Sequence, residues 1–208
     1  MAELLPGSVV YLVDDDEAVR HGLGMLLETV GHEVRAFGSA DDFLANYEAD
    51  RPACLILDIR MPSVSGLELQ EVLAERGLHP PIIFLTGYGN VPAAVKALKG
   101  GAIDFFQKPV DDEQLLLDRV QEALQLDVAS RGEASKRAEA RTLLDQLTPR
   151  ETQVMELMCQ GKANKVIAAE LEISERTVEL HRAHLMKKLG IRSIPDLIRL
   201  KEQQDAGL

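Results

Sequence analysis

The stretch VVYLVDDDEAV, residues 9–19, runs an apolar, strand-forming segment straight into three consecutive carboxylates, Asp14, Asp15 and Asp16. A short, continuously apolar run of this kind predicts a strand covered on both faces, as in a parallel sheet lying between layers of helix. The segments CLILD, residues 54–58, and PIIFLT, residues 81–86, share that character and end on Asp58 and Thr86. Amphipathic stretches separate the runs, so the pattern predicts βα units feeding one doubly wound parallel sheet. The expected strands cover 9–14, 33–37, 54–58, 82–86 and 104–107, and the expected helices 17–30, 40–47, 66–76, 91–99 and 112–126. Strand carboxyl ends would then bring Asp14, Asp58, Thr86 and Lys108 to one rim, which is where open α/β sheets bind ligands.

Asp14 and Asp15 repel each other, and Asp58 beside them makes a charge density that is costly to desolvate unless a cation enters. All-oxygen ligation with no His or Cys selects a hard ion such as Mg²⁺, which binds through one or two carboxylates and a phosphate. An ammonium from Lys108 and a hydroxyl from Thr86 on the same rim would clamp the oxygens of a phosphoryl group in transfer. Asp58 is the candidate nucleophile, because the loop that follows it, IRMPSVSG, is able to wrap the ion.

Charge is unevenly spread along the 208 residues. Residues 1–125 hold 9 Lys and Arg against 21 Asp and Glu, whereas residues 148–208 hold 10 against 9. Two domains are expected, 1–125 and 145–208, joined by a helical linker over 126–144 that is rich in Ala and mixed charge and interrupted near Gly132. The overall charge of −11 would repel nucleic acid, so any DNA contact must be local; residues 162–192 hold 7 Lys and Arg against 4 Asp and Glu. Cys54 and Cys159 have neither disulfide-framework nor metal-ligand spacing. The absence of a long apolar run or a signal-like N-terminus points to a cytoplasmic protein.

From Thr148 onward the pattern is helical. TPRE opens as a capping box, with Thr148 as the N-cap, Pro149 at the first helical position and Glu151 reaching back. ANKVIAAEL, the short turn EIS and a longer helix over 175–189 fit a helix-turn-helix, with Ala168 and Ala169 allowing close crossing and Ser174 capping the second helix. In that helix Val178, Leu185 and Leu189 form the core-facing row. Arg176, Glu179, Leu180, Ala183 and Lys187 face outward, flanked by His181 and Arg182. A last helix over 194–203 carries Ile194, Leu197, Ile198 and Leu200.

YLVDDDE, LILDIRMPSVSG, IIFLTGYG and DFFQKP, in this order and spacing, resemble the receiver domain of two-component response regulators. The segment from LTPRE to GIRS resembles a LuxR-type DNA-binding domain. Together they make the chain similar to the FixJ/NarL family. The resemblance implies a flavodoxin-like receiver of strand order 2-1-3-4-5, a four-helix DNA-binding domain, and transcriptional control in place of enzymatic turnover. It implies that Asp58 is the phospho-acceptor, that Asp15, Asp58 and the Arg60 backbone carbonyl bind Mg²⁺ with Asp14 acting through water, and that Lys108 and Thr86 contact the phosphoryl group. Phe105 occupies the switch-aromatic position and Pro109 that of a cis proline; Tyr88, just after Thr86, is expected to gate access as well. Glu179, Leu180 and Ala183 correspond to base-facing positions; Lys165, Arg176, Thr177, His181, Arg182 and Lys187 correspond to phosphate contacts. Expected partners are a sensor histidine kinase, promoter DNA, a second copy of the chain once phosphorylated, and RNA polymerase, with no membrane. A Mg²⁺-dependent phosphatase is the enzymatic alternative, but it calls for an acid two residues after the nucleophile, where Arg60 stands. An interaction module that binds no DNA is the other.

Overall fold

The structure is a computed structural model that describes residues 5–87 and 91–205. Tyr88 lies outside the described residues. Packing divides the chain into two units, Met1–Arg131 and Gly132–Leu208.

In the first unit, strands β1 (Val9–Val13), β2 (Glu33–Phe37), β3 (Ala53–Asp58), β4 (Ile82–Thr86) and β5 (Asp104–Gln107) form a parallel sheet in the order β2-β1-β3-β4-β5. Helices α1 (Glu17–Thr29), α2 (Ala40–Asn46), α3 (Gly66–Glu75) and α4 (Val91–Lys99) connect them, and α5 (Glu113–Leu144) follows. The apolar runs are buried throughout because alternate side chains enter two different cores. Tyr11, Leu55, Leu57 and Phe84 pack with Phe43, Leu69 and Leu73 on one face. Val10, Leu12, Ile56, Ile83 and Leu85 pack with Leu27, Leu116, Val120 and Leu124 on the other. Each fully buried Leu, Ile or Phe contributes roughly 1.5–3 kcal/mol, so this alternation holds the register that aligns the strand ends.

The expected elements appear with ends shifted by a residue or two, apart from the last helix of the first unit. That helix continues to Leu144 and passes through Gly132 without the interruption expected there, since one glycine costs only about 1 kcal/mol in a helix. The segment 126–144, expected as a linker, is divided between the two units. Asp127 is buried in the first, where its Oδ2 accepts from the Ala53 backbone N–H at 2.8 Å and pairs with Arg131 Nε at 2.6 Å. Arg131 Nη1 donates to the Ala49 carbonyl at 2.7 Å. Ala140 and Leu144 instead join the core of the second unit.

That second unit contains α6 (Pro149–Cys159), α7 (Asn164–Glu170), α8 (Glu175–Lys188) and α9 (Ile194–Asp205). Thr148 and Glu151 form the expected capping box, and Ser174 caps α8 by accepting from the Thr177 backbone N–H. Glu151 is buried, and Lys188 Nζ reaches it at 2.6 Å, fastening α8 to the start of α6. Ala168 is buried, whereas Ala169 is exposed, so only the first of this pair belongs to the core. No described helix is long and apolar enough to cross a membrane.

Candidate functional site

The three consecutive aspartates do three different things. Asp14 is fully buried at the end of β1, Asp15 is exposed, and Asp16 caps α1 by accepting from the Ala18 backbone N–H at 2.9 Å. A helix-capping role, the simplest reading of acids at a strand-to-helix turn, therefore belongs to one of the three. Asp58, at the end of β3, brings a third carboxylate: oxygens of Asp14, Asp15 and Asp58 lie within 4.8 Å of one another.

The rim is closed by Lys108 and Thr86. The Lys108 backbone N–H donates to the Thr86 carbonyl at 2.7 Å, and the Lys108–Pro109 peptide is cis. Lys108 Nζ sits 2.5 Å from Asp14 Oδ2 and 3.2 Å from Asp58 Oδ2. Thr86 is buried at the end of β4, and Phe105, half-buried, pairs with Phe84 in the ladder one strand away. The loop after Asp58 turns tightly, with Ser63 in the left-handed region at φ 69°. Its return brings Gly66 so close that a Cβ there would stand 2.1 Å from the Asp58 carbonyl oxygen.

One ammonium facing this many carboxylates leaves negative charge uncompensated. Burial pushes the Asp58 carboxyl above the usual carboxylate range; Lys108 and the Arg60 backbone N–H oppose the shift, and Asp14 adds to it. Asp58 Oδ1 is buried without a hydrogen-bond partner among the described residues. A buried, unpartnered carboxylate oxygen in an all-oxygen donor set fits a hard divalent cation. The five residues expected at this rim, Asp14, Asp15, Asp58, Thr86 and Lys108, all arrive there. Two supporting residues were not singled out from sequence. Gly66 carries only the weak signal of a Ser-Gly pair at a loop's end, and Arg20 gives none, being one arginine on an amphipathic helix.

In the second unit, Val178, Leu185 and Leu189 are buried as the helical period requires. Arg176, Glu179, Leu180, Ala183 and Lys187 are exposed along α8, and Lys165 is exposed on α7. Thr177, His181 and Arg182 are half-buried, and His184 is exposed. Arg182 Nη1 donates to Asn164 Oδ1 at 2.9 Å, which holds the guanidinium against the first residue of α7. Sequence reasoning placed Arg182 on this flank but not its partner, because the two lie eighteen positions apart on different helices.

A parallel five-stranded unit with an acidic rim, followed by a compact helix-turn-helix unit, defines a two-domain regulator that couples a chemical signal to DNA. Comparison with known proteins agrees. Residues 10–121 match the response regulator receiver domain, and residues 145–201 match the luxR family of bacterial regulatory proteins. The chain is 45% identical over 195 residues to nodulation protein W of Bradyrhizobium diazoefficiens, covering 94% of this chain and 86% of that protein. It is 43% identical over 205 residues to the transcriptional regulatory protein FixJ of Azorhizobium caulinodans, covering 96% and 93%. Among solved structures, response regulator StyR superposes with a TM-score of 0.85 at 43% identity, covering 95% of this chain and 99% of that one. The chain belongs to the response regulator family, in the branch with a LuxR-type DNA-binding domain, and is a transcription regulator, not an enzyme.

Proposed function

We propose that Asp58 accepts a phosphoryl group from a sensor histidine kinase, with Mg²⁺ held by Asp15, Asp58 and the Arg60 backbone carbonyl, and by Asp14 through water. The observation that carries this reading is the buried, unpartnered Asp58 oxygen beside Lys108 and two further carboxylates. In the transfer, an Asp58 carboxylate oxygen attacks phosphorus, the phosphorus–nitrogen bond of the donor phosphohistidine breaks, and an acyl phosphate forms. Bound Mg²⁺ supplies neutralisation of phosphoryl oxygens. Lys108 trades part of its pairing with Asp58 for the new dianion, and Thr86 donates its hydroxyl to it. Phe105 packs inward as Thr86 moves, which remodels the face made by α4 and β5. Two modified chains then pair and bring two α8 helices to promoter half-sites about one DNA turn apart, where RNA polymerase is a further partner. Moving such a switch from 1:99 to 99:1 takes about 5.5 kcal/mol of preference for the active state.

On DNA, Glu179, Leu180 and Ala183 would face base edges, Glu179 accepting from a cytosine amino group. Lys165, Arg176, Thr177, His181, Arg182 and Lys187 would meet phosphates. Exposure of the first three along one stripe of α8, with cations beside them, supports this assignment. The test is acetyl phosphate with Mg²⁺ on wild type and Asp58→Asn, following phosphoryl uptake, oligomeric mass and promoter affinity. Wild type should gain all three and the variant none; an Asn variant that responds like wild type would refute the acceptor assignment. Arg182→Ala should weaken promoter binding and lower the slope of log K against log salt by about one, as expected for one lost phosphate contact.

A further inference from the structure

We infer that Arg20 is a positioning residue for the acidic rim, holding the loop between β1 and α1 so that Asp14 and Asp15 converge on the cation. The inference rests on the Mg²⁺ reading above. Arg20 lies in the first turns of α1, half-buried, and its Nη1 donates to the backbone carbonyl of Asp14 at 2.7 Å. That carbonyl comes just after β1, whose ladder closes at Val13. A guanidinium is a charged donor, and such bonds are roughly twice as strong as neutral ones.

The guanidinium also lies near the turn after β2. A Cβ added to Gly38 would meet Arg20 Nη1 at 3.5 Å, Cζ at 3.6 Å and Nη2 at 3.8 Å, so the space a side chain would take there is bounded by the guanidinium. Arg20 therefore ties the helix it belongs to back to the end of β1, beside the turn after β2.

The tie completes the restraint of Asp14. Its backbone N–H donates to the Phe37 carbonyl at 3.1 Å, its Oδ1 accepts from the Asp16 backbone N–H at 3.0 Å, and its Oδ2 pairs with Lys108. Arg20 holds the remaining polar atom, the carbonyl oxygen. The restraint matters because carboxylates crowded within 4.8 Å push one another apart when no cation is bound. A loop free to relax would let Asp15, the exposed member, swing away, and the cation would have to gather its ligands at the moment of binding. Residues that orient metal ligands without touching the metal are worth a large share of affinity for this reason.

Arg20 also carries positive charge, and charge alone would act in the opposite sense. If Arg20 acted only through its field, its removal would tighten cation binding; if it acts by position, removal weakens it. The experiment is isothermal titration of the full-length, unphosphorylated protein with MgCl₂, comparing wild type, Arg20→Met and Arg20→Lys. Met keeps the stem and removes the donor, whereas Lys keeps the charge and a donor but loses the planar, rigid guanidinium that reaches the Asp14 carbonyl. The Met variant should bind Mg²⁺ about tenfold more weakly, and Lys should fall between it and wild type. Phosphoryl uptake from acetyl phosphate by the Met variant should drop at limiting Mg²⁺ and recover at saturating Mg²⁺, while circular dichroism shows it as fully folded as wild type at both concentrations, which separates this split from general destabilisation. If the Met variant does not fold, the Lys variant decides on its own: weaker binding than wild type supports the inference. Binding by either folded variant as tight as wild type, or tighter, overturns it. A wild type that binds no Mg²⁺ would instead overturn the cation reading beneath it, whatever the variants do.

Discussion

Removing the charge of Asp58 should make the first unit more stable, although it removes an ion pair. At an effective dielectric constant of about 20, unit charges 4.8 Å apart repel by about 3.5 kcal/mol, and Asp58 faces both Asp14 and Asp15 within that distance. Its attraction to Lys108 at 3.2 Å amounts to about 5 kcal/mol on the same scale. Repulsion therefore exceeds attraction by about 2 kcal/mol, and the cost of burying the carboxylate adds to the imbalance. Asp58→Asn keeps the shape and leaves Lys108 paired with Asp14. In EDTA at pH 7 it should raise the midpoint of the first unit's thermal transition by about 5–10 °C, the equivalent of about 2 kcal/mol for a unit of this size. Because burial raises the folded pKa of Asp58, the wild-type penalty is absent below the unfolded carboxylate value and grows as pH rises through the folded one. The gap between the proteins should thus close on acidification. It should also narrow when millimolar Mg²⁺ stabilises wild type by binding. Calorimetry of both proteins in EDTA and in Mg²⁺ across pH decides the matter. An Asn variant equal to or less stable than wild type in EDTA would show that the Lys108 pairing dominates and that the site is not strained by its own charge.

Two other substitutions probe the scaffold. Lys188 and the Thr148 cap lower Glu151 to about pKa 2, so its contribution is fully present above about pH 4.5 and is lost as pH falls toward 2. Glu151→Gln should cost the second unit on the order of 1–2 kcal/mol at pH 7 and flatten its acid limb, read by urea unfolding at several pH values. Gly66→Ala should cost about 2 kcal/mol or more, because its Cβ would meet the Asp58 carbonyl oxygen at 2.1 Å and force the backbone to shift. The same shift should slow phosphoryl uptake from acetyl phosphate well beyond the loss of stability; an Ala variant with wild-type uptake would show that the loop adjusts freely.

The strands, their common rim and the acids on it were legible in the sequence because they follow from local period. Fully apolar runs need cover on both faces, and the polar residue that ends each run must lie where the cover stops. The same holds for α8, whose buried row and outward stripe repeat with the helical turn, and for the Thr148 capping box, which is written in four consecutive residues. Whether the helix beginning at Glu113 would stop near residue 126 could not be read locally. Its continuation is supported by the bond from Asp127 to Ala53, seventy-four positions away, and by Ala140 and Leu144 entering the other unit's core. Tertiary structure alone decided which of three adjacent aspartates is buried, which is exposed and which caps a helix. It also decided that Gly66 must have no side chain, that Arg182 leans on Asn164, and that Arg20 grips the Asp14 carbonyl. Each of these depends on where another segment of chain arrives. Periodicity along a sequence tells which face a residue occupies, but only packing supplies the atom it meets there.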